Sequence, residues 1–107
     1  MAPPTVLGDF EQIVLLAVLR LGEQAYGAAI ATELETTGGR EVSISAVHTT
    51  LDRLEAKGLA SSTRPFADGA SRRIFAVTSL GARSLALTRA TRERLWSGVT
   101  LEPVPDT

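Results

Sequence analysis

Four side chains in the middle of the chain have types and a spacing suited to one kind of chemistry. Ser45, Thr49 and Arg53 recur at every fourth residue and His48 stands beside Thr49. A helix through them gathers two hydroxyls and a guanidinium on one face, with an imidazole at its edge. An ordinary surface helix would fill that face with alternating Lys and Glu. Hydroxyl, imidazole and guanidinium groups instead match phosphate oxygens and base edges, and the short Ser and Thr side chains allow close approach. Ser43 and Lys57, at the two ends of the stretch, extend the set, with Arg53 and Lys57 placed to reach phosphates. Arg64, Arg72 and Arg73 form a second cationic group further along. Exposed Ser and Thr are most often only solvated. The nearby arginines favour the binding reading.

Other chemistries find little support. The chain has no cysteine and a single histidine, which excludes disulfides, cysteine-ligated metal sites and histidine clusters, so no metal and no cofactor are expected. No nucleophile elbow, Gly-rich phosphate loop or carboxylate pair in a plausible cleft is visible, and an enzyme is not expected. The longest apolar run, residues 13–19, is far short of the ~20 residues that span a bilayer, and the N-terminus lacks a basic leader, so a cytoplasmic protein with no membrane partner is expected.

The formal net charge of −1 argues mildly against a nucleic-acid partner, but its distribution does not. Residues 1–39 carry one Arg against five acids, residues 40–78 six basic against four acidic, residues 79–97 four Arg against one Glu, and residues 98–107 two acids. The basic charge therefore lies from the central helix onward, and a docking phosphate responds to the local field.

At 107 residues and 44% hydrophobic content, the chain can bury one small core. Asp9 to Leu21 reads as a first helix, with Asp9 as its cap and Gly22 as its stop. Its apolar middle also allows a strand, but Phe10 and the end signals extend the element beyond usual strand length. Because that middle is apolar all round, one side is expected on the domain's own core and the other on a second subunit. Tyr26 to about Glu35 reads as a second helix, with Tyr26, Ala29, Ile30 and Leu34 on one face, followed by a short extended link over residues 40–42. The third helix follows, capped by Ser43, with Ile44, Val47, Leu51 and Leu54 as its core stripe and Gly58 as its end. Residues 59–64 and 72–78 read as strands of a hairpin around a loop with an Asp68-Gly69 turn, with Phe75 and Val77 facing the core. Thr78 then caps a last helix to about Ser97, and the tail contains two prolines.

This order is that of a winged helix-turn-helix: mainly α with a small β-hairpin, followed by a C-terminal dimerisation helix. The expected organisation is an extension over 1–8, a DNA-binding domain over 9–78, a dimerisation helix over 79–97 and a flexible tail over 98–107. The third helix would enter a major groove and the wing arginines would straddle the neighbouring strand. Arg83, Arg89, Arg92 and Arg94 are read as a solvated helix face outside that site.

Four segments, Leu7-Gly-Asp-Phe-Glu-Gln12, Ala25-Tyr-Gly27, Leu51-Asp-Arg-Leu-Glu-Ala-Lys-Gly-Leu59 and Arg72-Arg-Ile-Phe-Ala-Val-Thr-Ser-Leu-Gly81, resemble PadR-type transcriptional regulators. The resemblance implies a dimeric regulator of double-stranded DNA, usually a repressor, whose first and last helices build the homodimer. Phe10, Val14, Leu15 and Val18 with Leu85 and Trp96 are the residues expected there. In the family an aromatic residue, commonly Tyr, often occupies the place of His48 and helps contact DNA. Paired aromatics of the second wing strand appear here as Ile74-Phe75. The chain resembles the short type, some of which bind flat hydrophobic molecules between subunits through a tryptophan on the last helix. Trp96 could line such an effector site, although simple packing against the partner's first helix is favoured. The alternative function is a winged-helix protein-interaction module, since fold does not fix function.

Overall fold

The computed structural model describes residues 2–65 and 72–103, so the expected Asp68-Gly69 turn lies outside the described residues. Four α-helices and one hairpin follow in the order α1 (Asp9–Leu21), α2 (Gly27–Gly38), α3 (Ile44–Ala56), β1 (Ala60–Thr63), β2 (Ile74–Val77) and α4 (Ser79–Trp96), with a single 3-10 turn at Gly22–Gln24. The mainly α winged helix-turn-helix expected from the pattern is what forms.

Local signals place most of the ends. Ser43 Oγ accepts the Ala46 amide at 3.0 Å and opens α3, while Thr78 Oγ1 accepts the Gly81 amide at 3.0 Å and opens α4. The cap of α1 differs from expectation. Gly8 holds the cap position, and Asp9 is the first helical residue, where its charge suits the positive end of the helix. Without a side chain Gly8 supplies half of a capping box, its amide donating to Glu11 Oε1 at 3.3 Å.

Helices α1, α2 and α3 pack on one another, and β2 and α4 close the core against α1. The core holds Val14, Leu15, Ala17 and Val18 of α1, Ile30 and Leu34 of α2, Val47, Leu51 and Leu54 of α3, and Phe75 and Leu85. Ile44 does not join its expected stripe. It is the first residue of α3 and is 49% exposed. Residues 40–42 link α2 to α3 outside any helix or strand. The backbone that meets the wing lies instead before α2, where Ala25 O accepts the Phe75 amide at 2.8 Å.

The hairpin is antiparallel, with Ser61 opposite Ala76 and Ser62 opposite Phe75. Phe75 is buried and Val77 packs partly against the core, as alternation requires. Close backbone approach then fixes Gly81: a Cβ there would lie 2.1 Å from Leu59 O. The N-terminal arm runs back along α4, donating from the Thr5 amide to Ser84 Oγ at 3.2 Å and from the Leu7 amide to Thr88 Oγ1 at 2.9 Å. Those bonds use the two hydroxyls that α4 buries fully. Beyond Thr91 every side chain of α4 is exposed. No helix among the described residues is long and apolar enough to cross a membrane.

Candidate nucleic-acid interface

The third helix divides into two sides as its periodicity demands. Val47, Thr50, Leu51 and Leu54 are buried, whereas Ser45, Ala46, Thr49, Asp52, Arg53 and Ala56 are exposed. Small side chains at four of those six positions leave the helix backbone close to whatever docks there. Ser43 lies just before them, its oxygen engaged as the cap.

His48 is half-buried on the edge of this face and lies over the start of α2. A Cβ on Gly27 would meet His48 Nε2 at 2.4 Å, so any larger residue there must push the imidazole from its place over the start of α2. Around this junction Tyr26, Gly27, Ala28, His48, Arg64, Arg72 and Arg73 line a concavity of about 310 Å³. The Arg72 guanidinium stacks over the Tyr26 ring, 4.2 Å from its centroid, a cation–π contact that orders an otherwise exposed side chain. Tyr26, Gly27 and Ala28, at the start of α2, border the same space. A helix N-terminus lined with arginines is complementary to an anion.

Two of the expected phosphate contacts are already engaged. Lys57 Nζ lies 2.8 Å from Glu11 Oε2 on α1, beside the N-terminal arm and away from the Ser45–Thr49 face. That ammonium, aided by the Gly8 amide against the opposing effect of burial, holds the Glu11 carboxyl below its ordinary range. Arg73 reaches Asp52 Oδ1 at 3.0 Å and Glu55 Oε1 at 2.9 Å, both on α3. The Asp52 carboxylate, with Glu55 beside it, raises the Arg73 guanidinium above its usual range despite partial burial. Arg53, Arg64 and Arg72 are exposed.

The expected dimer contacts divide in the same way. Val14, Leu15 and Val18, expected at a dimer contact, are buried within this chain, as is Leu85, and pack on its own core. The neighbours Leu16 and Leu19 are 42% and 55% exposed and flank a groove of about 420 Å³ between α1 and α2. Phe10 is half-buried under the Arg40 guanidinium, 5.1 Å from its ring centroid. Trp96, 57% exposed, lines a shallow depression with Leu95, Val99 and Leu101. Among the described residues no group of His, Asp and Glu is arranged to hold a metal ion.

A family model described as the transcriptional regulator PadR-like family matches residues 15–87. The chain belongs to the PadR-like family. Its members are transcriptional regulators rather than enzymes. A PadR family transcriptional regulator from Eggerthella lenta is 28% identical, with a TM-score of 0.67 over 81% of this chain and 77% of that one. RosR of H. salinarum is 26% identical, with a TM-score of 0.59 over 91% of this chain and 81% of that one. A PadR-like transcription factor from Bacteroides fragilis, 21% identical, shares the fold with a TM-score of 0.69 over 82% and 84% of the two chains. No match was found among curated proteins.

Sequence reasoning missed two parts of this PadR-like surface. Tyr26 was read as a helix-face residue, but it is the N-cap of α2 and the platform for Arg72. The glycine that follows it, at a helix start, was the available signal for a close approach. Asp52 and Glu55 as partners of Arg73 left no signal, because the pairing depends on where the wing returns to α3.

Proposed function

We propose that this chain is a sequence-specific repressor that binds double-stranded DNA as a homodimer. The observation that carries this reading is the exposed face of α3, small and hydroxylated, bordered by the arginine-lined concavity at the start of α2. In the proposed complex Ser45 and Thr49 approach base edges in the major groove, with His48 at the flank. Arg53, Arg64 and Arg72 meet phosphates, as do the first amides of α2. Ser43 helps by fixing the angle at which the helix enters.

The dimer is supported by apolar surface that one chain leaves uncovered. The Leu16–Leu19 face of α1 and the Leu95–Trp96 end of α4 lie on different parts of the molecule, and each would be covered by a second copy. Trp96 then packs in the interface, where a flat hydrophobic effector would compete for the same surface.

The deciding experiment measures affinity for duplex DNA as a function of salt. The logarithm of affinity should fall linearly with the logarithm of salt, and Arg72→Ala should weaken all duplexes alike and reduce the slope by about one. Thr49→Ala should act more on selected than on random DNA. Undetectable binding at low salt removes the reading. Saturable quenching of Trp96 emission by a planar hydrophobic compound would support an effector site, and no quenching across a varied panel would leave packing alone.

A further inference from the structure

The wing and the third helix are joined by one side chain. Arg73, the residue before β2, places Nη1 on Asp52 Oδ1 at 3.0 Å and Nη2 on Glu55 Oε1 at 2.9 Å. Ser62 Oγ, on the opposite strand, donates to the same Glu55 oxygen at 2.8 Å and lies 3.4 Å from Nη2. Beneath them the guanidinium lies 4.8 Å from the centroid of the buried Phe75 ring. Both strands of the wing root are thereby tied to a single edge of α3. Asp52 and Glu55 are three residues apart and share a side of the helix, so one planar cation can bridge them.

Two carboxylates beside a surface offered to DNA are electrostatically unfavourable, and the Asp52 side chain is 62% exposed. Their position has a purpose if they hold something that binding needs. The guanidinium is itself only 25% exposed and is occupied on both terminal nitrogens, so a phosphate would have to displace a carboxylate to reach it.

We infer that Arg73 is a positioning residue rather than a DNA contact: bound by Asp52 and Glu55, it sets the wing at a fixed angle to the recognition helix, so that both reach the duplex together. This inference rests on the DNA-binding reading for its consequence and on the free protein for its geometry. It reverses the sign that simple electrostatics gives for the acids. If Arg73 gripped phosphate, removing Asp52 and Glu55 would release it and strengthen binding. If Arg73 holds the wing, removing them weakens binding despite the lost negative charge.

The test compares wild type, Arg73→Gln, Arg73→Lys, Asp52→Ala/Glu55→Ala and the combination of Arg73→Gln with the double change. Affinity is measured for a duplex selected from random DNA by the wild-type protein and for an unselected duplex, at a temperature where circular dichroism shows every variant folded. Arg73→Gln and the double change should each weaken the selected duplex by about tenfold, and together should weaken it no more than about twofold beyond either alone. Loss on the unselected duplex should be smaller, since a loosened wing still finds phosphates but no longer holds the register that the selected duplex rewards. Arg73→Lys, which can reach only one carboxylate at a time, should fall between. Equal losses on both duplexes with a flatter slope, or tighter binding after removal of the acids, would overturn the inference. Amide hydrogen exchange without DNA provides the independent arm. Exchange at residues 61–63 and 74–77 should accelerate in every variant while the α1 core stays protected, and unchanged exchange there would also overturn it. Failure of the wild type to bind any duplex would remove the functional reading, and the clamp would then stand or fall on the exchange data alone.

Discussion

Gly27→Ala isolates the contact at the centre of the proposed interface. The added Cβ would lie 2.4 Å from His48 Nε2 and 2.6 Å from Cε1, where ordinary contacts are 3.4–4 Å, so the imidazole must retreat by about 1 Å or more. Crowding of this kind costs ~1–3 kcal/mol. Replacing glycine by alanine near a helix start offsets part of that, by up to about 1 kcal/mol. Gly27→Ala should therefore lower unfolding free energy by ~0–2 kcal/mol in the wild-type background. In a His48→Ala background the obstruction is gone, and the same change should stabilise by roughly 0.5–1 kcal/mol. The coupling between the two sites is then ~1–3 kcal/mol, well above the scatter of independent sites. Urea unfolding of the four proteins at one protein concentration measures it, the fixed concentration being needed because association shifts apparent stability. DNA affinity of Gly27→Ala should fall as well, since the displaced imidazole enters the concavity lined by Arg72. A coupling below about 0.5 kcal/mol would refute the packing argument.

Three further outcomes follow from the same packing. Leu15→Ala should lower stability by ~2–5 kcal/mol because its side chain is fully buried, whereas Leu16→Glu should leave a folded protein that sediments as a monomer while wild type should sediment as a dimer; dimers from Leu16→Glu would count against the α1 face. Gly81→Ala should be among the most damaging small changes, at about 3 kcal/mol, since its Cβ would strike Leu59 O, which is held by the Thr78 amide at 3.2 Å. Gly38→Ala, which meets nothing within 4 Å, is the neutral control, and similar unfolding midpoints for the two would sink the close-approach argument. Glu11→Gln tests the Lys57 pair by pH. The Glu11 carboxyl is depressed in the folded chain, so its stabilisation is complete above the ordinary glutamate pKa of about 4.3 and is lost as pH falls through the lower folded value. The stability gap between wild type and Glu11→Gln, about 1 kcal/mol or less for a partly exposed pair, should be full at pH 6 and vanish in acid; a gap independent of pH would show that Lys57 does not stabilise the charged form.

Most of the element order was legible in the sequence, because its signals are local. The hydroxyls of Ser43 and Thr78 have amides within three residues to accept, and the recurrence of Val47, Leu51 and Leu54 at helical spacing needs no knowledge of what lies opposite. The exposed face of Ser45, Thr49 and Arg53 follows from the same periodicity. Periodicity failed where it was absent. Residues 13–19 are apolar throughout, so sequence could not say that Val14, Leu15 and Val18 turn inward while Leu16 and Leu19 stay outside. That choice depends on how α1 rotates against α2 and β2.

Tertiary structure alone decided which acids Lys57 and Arg73 pair with. Lys57 and Glu11 are 46 residues apart, and Arg73 lies 21 residues from Asp52, so their pairing is set by the packing of α1 on α3 and by the return of the wing. The chain by itself specified the helices and the polar face that one of them presents. Which acids Lys57 and Arg73 pair with, and how closely position 27 approaches His48, were fixed only when distant segments met, because an ion pair or a steric clash is a property of distance in space and leaves no period along the chain.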